Sequence, residues 1–199
     1  MTSIDTKPKK AVSIILATDN KWWIGKWGQL PWRLSQDMQF FKEVTTVTLS
    51  PKKINAVVMG RKTWESLPAK YRPLPWRENV ILTKDTNYTA PVTMYNSLTT
   101  AIEKLSERED IETIFIIGWA TLYNESVDKE IADRIYLTKV LWDFDCDAFF
   151  IGVPWNYKLE WISDKVEENG IIYQWLTYEK NVLQSTSKLK IVNQDEVSI

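Results

Sequence analysis

Three groups of residues in this 199-residue chain combine type and spacing in a way that could do chemistry. The first is Asp37. With Phe40, Phe41 and Val44 it makes an i, i+3, i+4, i+7 set, which is one face of a 3.6-residue helix. A carboxylate on that stripe is carried toward the core, where desolvation raises its affinity for a proton unless a partner compensates. Such an acid is a candidate functional group. The competing reading is structural: Asp37 falls in the first helical turn, where unsatisfied backbone N–H groups favour a negative charge.

The second group is Arg61-Lys62-Thr63, directly after a strand-like run ending in Met59-Gly60. A strand that turns at glycine into a helix with two cations and a hydroxyl suits a phosphate, because helix N-termini attract anions. It is equally the composition of a solvated basic turn. A related junction is Ile114-Phe115-Ile116-Ile117-Gly118 followed by a short helix from Ala120. Ligands of open α/β sheets collect at the carboxyl ends of strands, so two junctions of this kind suggest a dinucleotide. Neither carries a GxGxxG fingerprint. The third group is Arg77, behind the stiff run Arg72-Pro73-Leu74-Pro75. An arginine braced by proline can grip a carboxylate through two parallel hydrogen bonds, although a surface arginine in a loop has the same sequence.

Composition removes other chemistries. Histidine is absent, which takes away the commonest general base, the serine-protease triad and most zinc sites. The formal net charge of -1 gives no global field for nucleic acid or a membrane surface. One cysteine, Cys146, permits no intrachain disulfide and fits a reducing, cytoplasmic compartment. No segment approaches the roughly 20 apolar residues of a membrane-spanning helix, and the apolar run from Ala11 to Ala17 is too short for a signal peptide.

Apolar, β-branched runs alternate with helical patterns. Strands are expected at Val12–Thr18, Asn55–Met59, Asn79–Thr83, Val92–Tyr95, Thr113–Ile117, Arg134–Val140 and Ile171–Tyr178, and helices at Ser35–Thr45, Arg61–Ser66, Leu98–Glu107 and Ala120–Ser126. The alternation argues for one α/β domain over residues 1–180 with a mostly parallel central sheet and flanking helices. The last two strands lack an intervening helix, so the C-terminal strand is expected as an antiparallel edge. Residues 181–199 lose periodicity and read as a mobile tail.

Together these pieces resemble dihydrofolate reductase. The matches run in order from about Ala11 to Lys180: I-I-L-A at Ile14–Ala17, I-G-K at Ile24–Lys26, L-P-W at Leu30–Trp32, with Asp37 five residues further on, as in bacterial members. Then come M-G-R-K-T-W-E-S-L-P at Met59–Pro68, R-P-L-P at Arg72–Pro75 with Arg77, and I-L-T-K at Ile81–Lys84. I-I-G at Ile116–Gly118 with Tyr123, Y-L-T at Tyr136–Thr138 and D-C-D-A-F-F at Asp145–Phe150 complete the series. The ordered set is specific where any one motif is not.

The resemblance, of bacterial type, implies a dihydrofolate-reductase-like fold and NADPH-dependent reduction of dihydrofolate to tetrahydrofolate. Asp37 would accept hydrogen bonds from N3 and the 2-amino group of the pteridine with Thr138 in support, favouring protonation at N5 through a water that Trp32 helps to order. Met38, Phe41, Ser66 and Leu67 would line the pterin and aminobenzoyl pocket, Arg77 would bind the glutamate tail, and Ile15, Ala17, Ile117 and Tyr123 would also border the substrate. Ala17, Ile24, Ile117 and Tyr123 would flank the nicotinamide. Gly60, Arg61, Lys62 and Thr63 would meet cofactor phosphates, as would Gly118, Trp119, Ala120, Thr121 and Leu122. Leu82, Thr83 and Lys84 would lie near the adenosine, with the last two at its 2′-phosphate. The stretch from Asp19 to Leu30 would be a mobile loop closing over the nicotinamide. No metal, nucleic acid or membrane enters, relatives suggest a monomer, and no fused thymidylate synthase is expected. Two other readings remain: a degenerate reductase fold that binds folate-like ligands without efficient turnover, and a riboflavin-pathway relative, which should lack the Asp37 and Arg77 pair.

The departures from the family pattern share one form. Tryptophan stands at Trp23, Trp76 and Trp119 where the family usually has glycine, Trp27 and Trp142 sit in similar loops, and Trp22 and Trp155 belong with them. Trp119 replaces the second glycine of a pair that the family joins by a cis peptide at the cofactor pyrophosphate. The chain has 11 tryptophans and only 6 glycines, against a usual glycine share of about 7%. The excess and the shortage are complementary, as expected where UGA codons read as glycine by the organism are rendered as tryptophan. Real substitution would instead suggest a weakened or cofactor-blind relative.

Overall fold

Alternation along the strands sorts the core into two layers. The computed structural model describes residues 10–181, so the tail expected at 181–199 lies, from 182 on, outside the described residues. In β1 (Ala11–Thr18), Val12, Ile14 and Leu16 face one side of the sheet and Ile15 the other; in β3 (Ile54–Gly60), Ala56 and Val58 oppose Val57 and Met59. Strands buried on both faces read as continuous apolar runs, which is what made them legible. On the first side pack α3 (Leu98–Glu107) and α4 (Ala120–Asp128), through Leu98, Ala101, Ile102, Leu105, Tyr123 and Val127. On the second pack α1 (Ser35–Thr46), through Phe40, Phe41 and Val44, and α2 (Arg61–Ser66), through Trp64.

The remaining strands are β2 (Trp23–Gly25), β4 (Arg77–Leu82), β5 (Thr93–Tyr95), β6 (Ile111–Ile116), β7 (Arg134–Val140), β8 (Ala148–Phe149), β9 (Tyr157–Ile162), β10 (Val166–Glu168) and β11 (Ile171–Lys180). The main sheet has nine strands in the order β10-β11-β7-β1-β6-β3-β4-β5, with β9 pairing β11 off that path. From β7 to β5 every pairing is parallel; β11 runs antiparallel to β7, β9 and β10. The expected α/β sheet is therefore present, with one correction: β11 is interior, covered by β9 and β10, and is not an edge. Those strands escaped the sequence reading because β9 is exposed over most of its length, Lys158 to Ile162, and β10 is three residues long. A second sheet pairs β2 with β8 and places a strand inside the stretch expected to be a loop.

Local rules explain the turns. Ser97 caps α3, its hydroxyl accepting the Thr100 N–H at 3.1 Å. Asp19, fully buried, accepts the N–H groups of Lys21, Trp23 and Phe144 at 2.8–3.1 Å and so ties the loop after β1 to the loop after β7. Among the described residues no helix is long and apolar enough to cross a membrane.

Three tryptophans adopt glycine's conformation. Trp22, Trp27 and Trp76 have φ of 71°, 50° and 65°, the left-handed region that a bulky L-residue rarely enters. Trp76 follows Pro75, and proline ahead of a positive φ is the arrangement of a type II turn, whose third position calls for glycine. Trp27 is 84% exposed and Trp76 is 77% exposed, so neither indole recovers the strain by packing. Among the described residues the cis bond is Arg72–Pro73, and the bond between Gly118 and Trp119 is trans. Replacing Trp27 or Trp76 by glycine is expected to stabilise the protein by about 0.5–1 kcal/mol each, the strain relieved less glycine's added unfolded-state entropy. Thermal unfolding should rise by a few degrees, whereas Trp64→Gly, in the core, should cost about 3–5 kcal/mol. Peptide masses of the protein from its own organism are expected to show glycine at 22, 27 and 76; tryptophan there would end the recoding reading.

Candidate active site

Asp37 sits where three adjacent strands present one row of residues. Ala17 on β1 is the register partner of Thr138 on β7, and Thr138 is that of Trp175 on β11. All three fall toward the α1 side of the sheet. The Thr138 hydroxyl donates to Asp37 Oδ1 at 2.6 Å, and the Trp175 indole N–H donates to the same oxygen at 3.0 Å. No described residue donates to Oδ2. The carboxyl is buried, and burial pushes its pKa above the ordinary carboxylate value, with the two donors and the nearby Glu168 charge pulling in opposite directions.

The alternative role for Asp37, as cap of its own helix, is filled by another residue. Glu168, on β10, accepts the Ser35 N–H at 2.6 Å, the Gln36 N–H at 3.1 Å and the Ser35 hydroxyl. These contacts hold its carboxyl below the usual range, and they stabilise the positive end of α1. Asp37 is thereby released to face the sheet. Sequence reasoning found Asp37 and Thr138 but missed Trp175 and Glu168. A signal for Trp175 existed, an indole on the strand antiparallel to Thr138, but it required the register.

Around this acid, Trp32 is 5% exposed and its indole N–H is buried without a protein partner. Phe41 is half-buried beneath the Arg77 guanidinium, 5.8 Å from its ring centre. Met38 is exposed, Ile15 and Ile117 are buried, and Leu67 packs on the second core layer. Arg77 is buried; it donates to Thr45 Oγ1 at 2.7 Å and to the Pro75 carbonyl at 3.0 Å, and desolvation lowers its pKa. No described carboxylate pairs with it, leaving a charged edge for an anion. The Ser66 hydroxyl is turned back onto the Thr63 carbonyl at 2.7 Å.

The cations gather along the other end of the same strand termini. Arg61 pairs with Glu65 at 3.6 Å and lies over the Tyr88 ring, while Lys62 and Lys84 are exposed. Gly118, with φ of 124°, comes so close to Thr63 that a side chain there would meet Thr63 Oγ1 at 2.5 Å. Tyr123 is buried, and its hydroxyl accepts the Gly118 N–H at 2.6 Å while donating to the Ile15 carbonyl at 3.0 Å. Leu122 packs near Gly60, Ala120, Leu82 and Thr83 are partly buried, and Thr121 is exposed. Ile24, on β2, is buried in the first core layer. The Trp119 indole reaches across to β2, where a side chain on Gly25 would meet its Cη2 at 2.8 Å.

Fold and site together define a class: an α/β protein built on one large, mostly parallel sheet, with a buried acid and a flank of cations at the carboxyl ends of its parallel strands. The comparisons narrow it. The family profile described as dihydrofolate reductase matches residues 11–180. Dihydrofolate reductase of Aedes albopictus is 39% identical over 86% of this chain and 98% of its own length. A solved structure of Schistosoma mansoni dihydrofolate reductase aligns with a TM-score of 0.75 at 36% identity, covering 86% of this chain and 98% of the other. Bifunctional dihydrofolate reductase-thymidylate synthase 1 of Arabidopsis thaliana is 36% identical over 89% of this chain, which spans 36% of that relative's length. Against the bifunctional plant relatives the chain covers a little over a third. The chain belongs to the dihydrofolate reductase family. These relatives are insect, flatworm and plant proteins, so the bacterial type expected from the Trp32 to Asp37 spacing is not supported by them.

The raised pKa carries a consequence for stability. The folded protein binds the Asp37 proton more tightly than the unfolded chain, so ionisation opposes folding above the folded pKa and ceases to do so below the ordinary carboxylate pKa. Asp37→Asn removes this penalty. The variant should be more stable than the parent at pH 7–8, a range taken from where carboxylates are ionised, and the difference should close on acidification toward pH ~4. Denaturant melts across that range check it; a constant difference would contradict the assignment.

Proposed function

We infer that this protein reduces dihydrofolate to tetrahydrofolate with NADPH, acting as a monomer in the cytoplasm. The observation that carries the reading is the buried Asp37 carboxyl, held at Oδ1 by Thr138 and unclaimed at Oδ2 by any described residue. A flat heterocycle with adjacent ring and exocyclic N–H donors complements it, and the pteridine N3 and 2-amino groups are such donors. Asp37 orients the ring and favours a proton at N5; its own burial keeps the interaction strong. The unpartnered Trp32 indole N–H supports a water in the proton path, as a buried donor demands a partner. Met38, Phe41 and Leu67 bracket the aromatic tail, and Arg77 offers its free edge to the glutamate carboxylate.

The chain's residues also fit the cofactor's charges. Arg61, Lys62, Thr63 and the close Gly118 backbone suit its phosphates, and Thr83 with Lys84 suits a 2′-phosphate, which favours NADPH over NADH. When bound, NADPH supplies the hydride. Ala17, Ile24 and Ile117 contribute the apolar wall that keeps water from the transfer. Tyr123, whose hydroxyl is committed to backbone groups, holds that wall in place. One observation favours a second reading, a fold that binds folate-like ligands with little turnover: the Trp119 indole spans from α4 to β2 across the expected pyrophosphate path.

Spectrophotometric NADPH oxidation with dihydrofolate tests the proposal. Asp37→Ala should lower kcat/KM by roughly 10²-fold or more, the usual scale for a positioned proton-transfer group; unchanged turnover would sink the mechanism. Trp119→Gly should tighten NADPH binding by about tenfold, ~1.4 kcal/mol, measured by fluorescence titration. If tight antifolate binding persists while neither the parent nor the variant with glycine at 23, 76 and 119 oxidises NADPH, the second reading stands.

A further inference from the structure

Asp37 has a donor beyond the threonine. We propose that Trp175 is a positioning residue: with Thr138 it pins Oδ1 of Asp37 and so presents Oδ2 to the pterin. The geometry is built from four directions. The Trp175 indole N–H lies 3.0 Å from Oδ1, and its strand position is directly opposite Thr138 in the β7–β11 ladder. Its ring stacks on Phe40, one helical turn beyond Asp37, with centres 5.0 Å apart and planes at 24°. Tyr173 meets it edge-on at 5.5 Å and 79°. Both backbone polar groups of Trp175 are tied to Ser163, its N–H donating to the hydroxyl and its carbonyl accepting the Ser163 N–H, at 3.0 and 2.9 Å. The indole therefore has little freedom to leave the acid.

Two donors on one oxygen do what one cannot. A single hydroxyl leaves a carboxylate free to pivot about its own axis, whereas donors from two strands fix the plane. The groups that face Asp37 are few: Thr138 from β7, Trp175 and the Tyr173 phenol from β11, and the Glu168 carboxylate from β10. Of these, Thr138 and Trp175 donate to it. Trp175 favours the ionised form, opposing the desolvation and the Glu168 charge. The inference rests on the pterin-binding role given to Asp37 above, but its primary readout does not.

The test is the carboxyl titration of Asp37 in ligand-free protein, followed by carbon NMR with labelled aspartate. Trp175→Phe keeps the ring and deletes the donor. The Asp37 midpoint should move up, on the order of tenfold in proton affinity, with the KM for dihydrofolate raised and binding of a 2,4-diaminopteridine weakened by a similar factor. A folded variant with an unmoved midpoint overturns the proposal. A variant that does not fold shifts the decision to the parent protein. There the Trp175 indole N–H resonance must titrate with the Asp37 carboxyl and lose that step in Asp37→Asn; an indole signal that stays flat overturns it. Absence of dihydrofolate turnover would count against the proposed function and leave this titration readable.

Discussion

The structure is organised around the cost of burying one carboxyl group. Asp37 occupies a position on α1 where an apolar side chain would pack at no penalty, and desolvation works against its charge. Two donors offset that penalty in part, and a third group, whose own charge works against the acid, frees it from capping its helix. β7 offers a hydroxyl, β11 an indole N–H, and β10 a second carboxylate that satisfies the helix's own N–H groups. Take away the cap from Glu168 and the helix start would compete for the Asp37 charge. The acid is held between ionised and neutral tendencies, which is the state a ligand's donors can exploit.

How much of this was legible in the sequence depended on the range of the contacts. The strands at β1, β3, β6 and β7 announced themselves as continuous apolar runs, and α1 through its stripe, because period is a local property. Asp37 was visible for the same reason, being the one charge on that stripe. Trp175 and Glu168 were not, because their meaning lies in pairing with residues 138 and 133 positions away. The interior place of β11 was also hidden. Its outer neighbours, β9 and β10, carry exposed side chains and short lengths that resemble loop sequence. The roles assigned to Arg61, Lys62 and Lys84 came from resemblance; the structure adds that these cations border one end of the strand termini.

The tryptophans divide by environment. Trp32 and Trp64 are buried and Trp175 is bonded, and each is explained by what it touches. Trp27 and Trp76 are exposed, in backbone conformations that suit a residue without a side chain. Trp119 lies at the start of α4 with its indole reaching Gly25 on β2. The composition imbalance seen in the sequence thus has a stereochemical counterpart at named turns, while Trp23, Trp142 and Trp155 have no positive φ to explain.

The cap supplied by Glu168 also bears on how the protein comes to be assembled. The helix that carries the acid belongs to the first quarter of the chain, and the group that finishes its amino end belongs to the last. Loop closure on that scale comes late, after local structure has formed. Without that hairpin in place, the first turn of the acid's helix lacks the carboxylate that accepts its Ser35 and Gln36 N–H groups. The order of the helix start and the placing of Trp175 against the acid are thus completed by the same late stretch of chain.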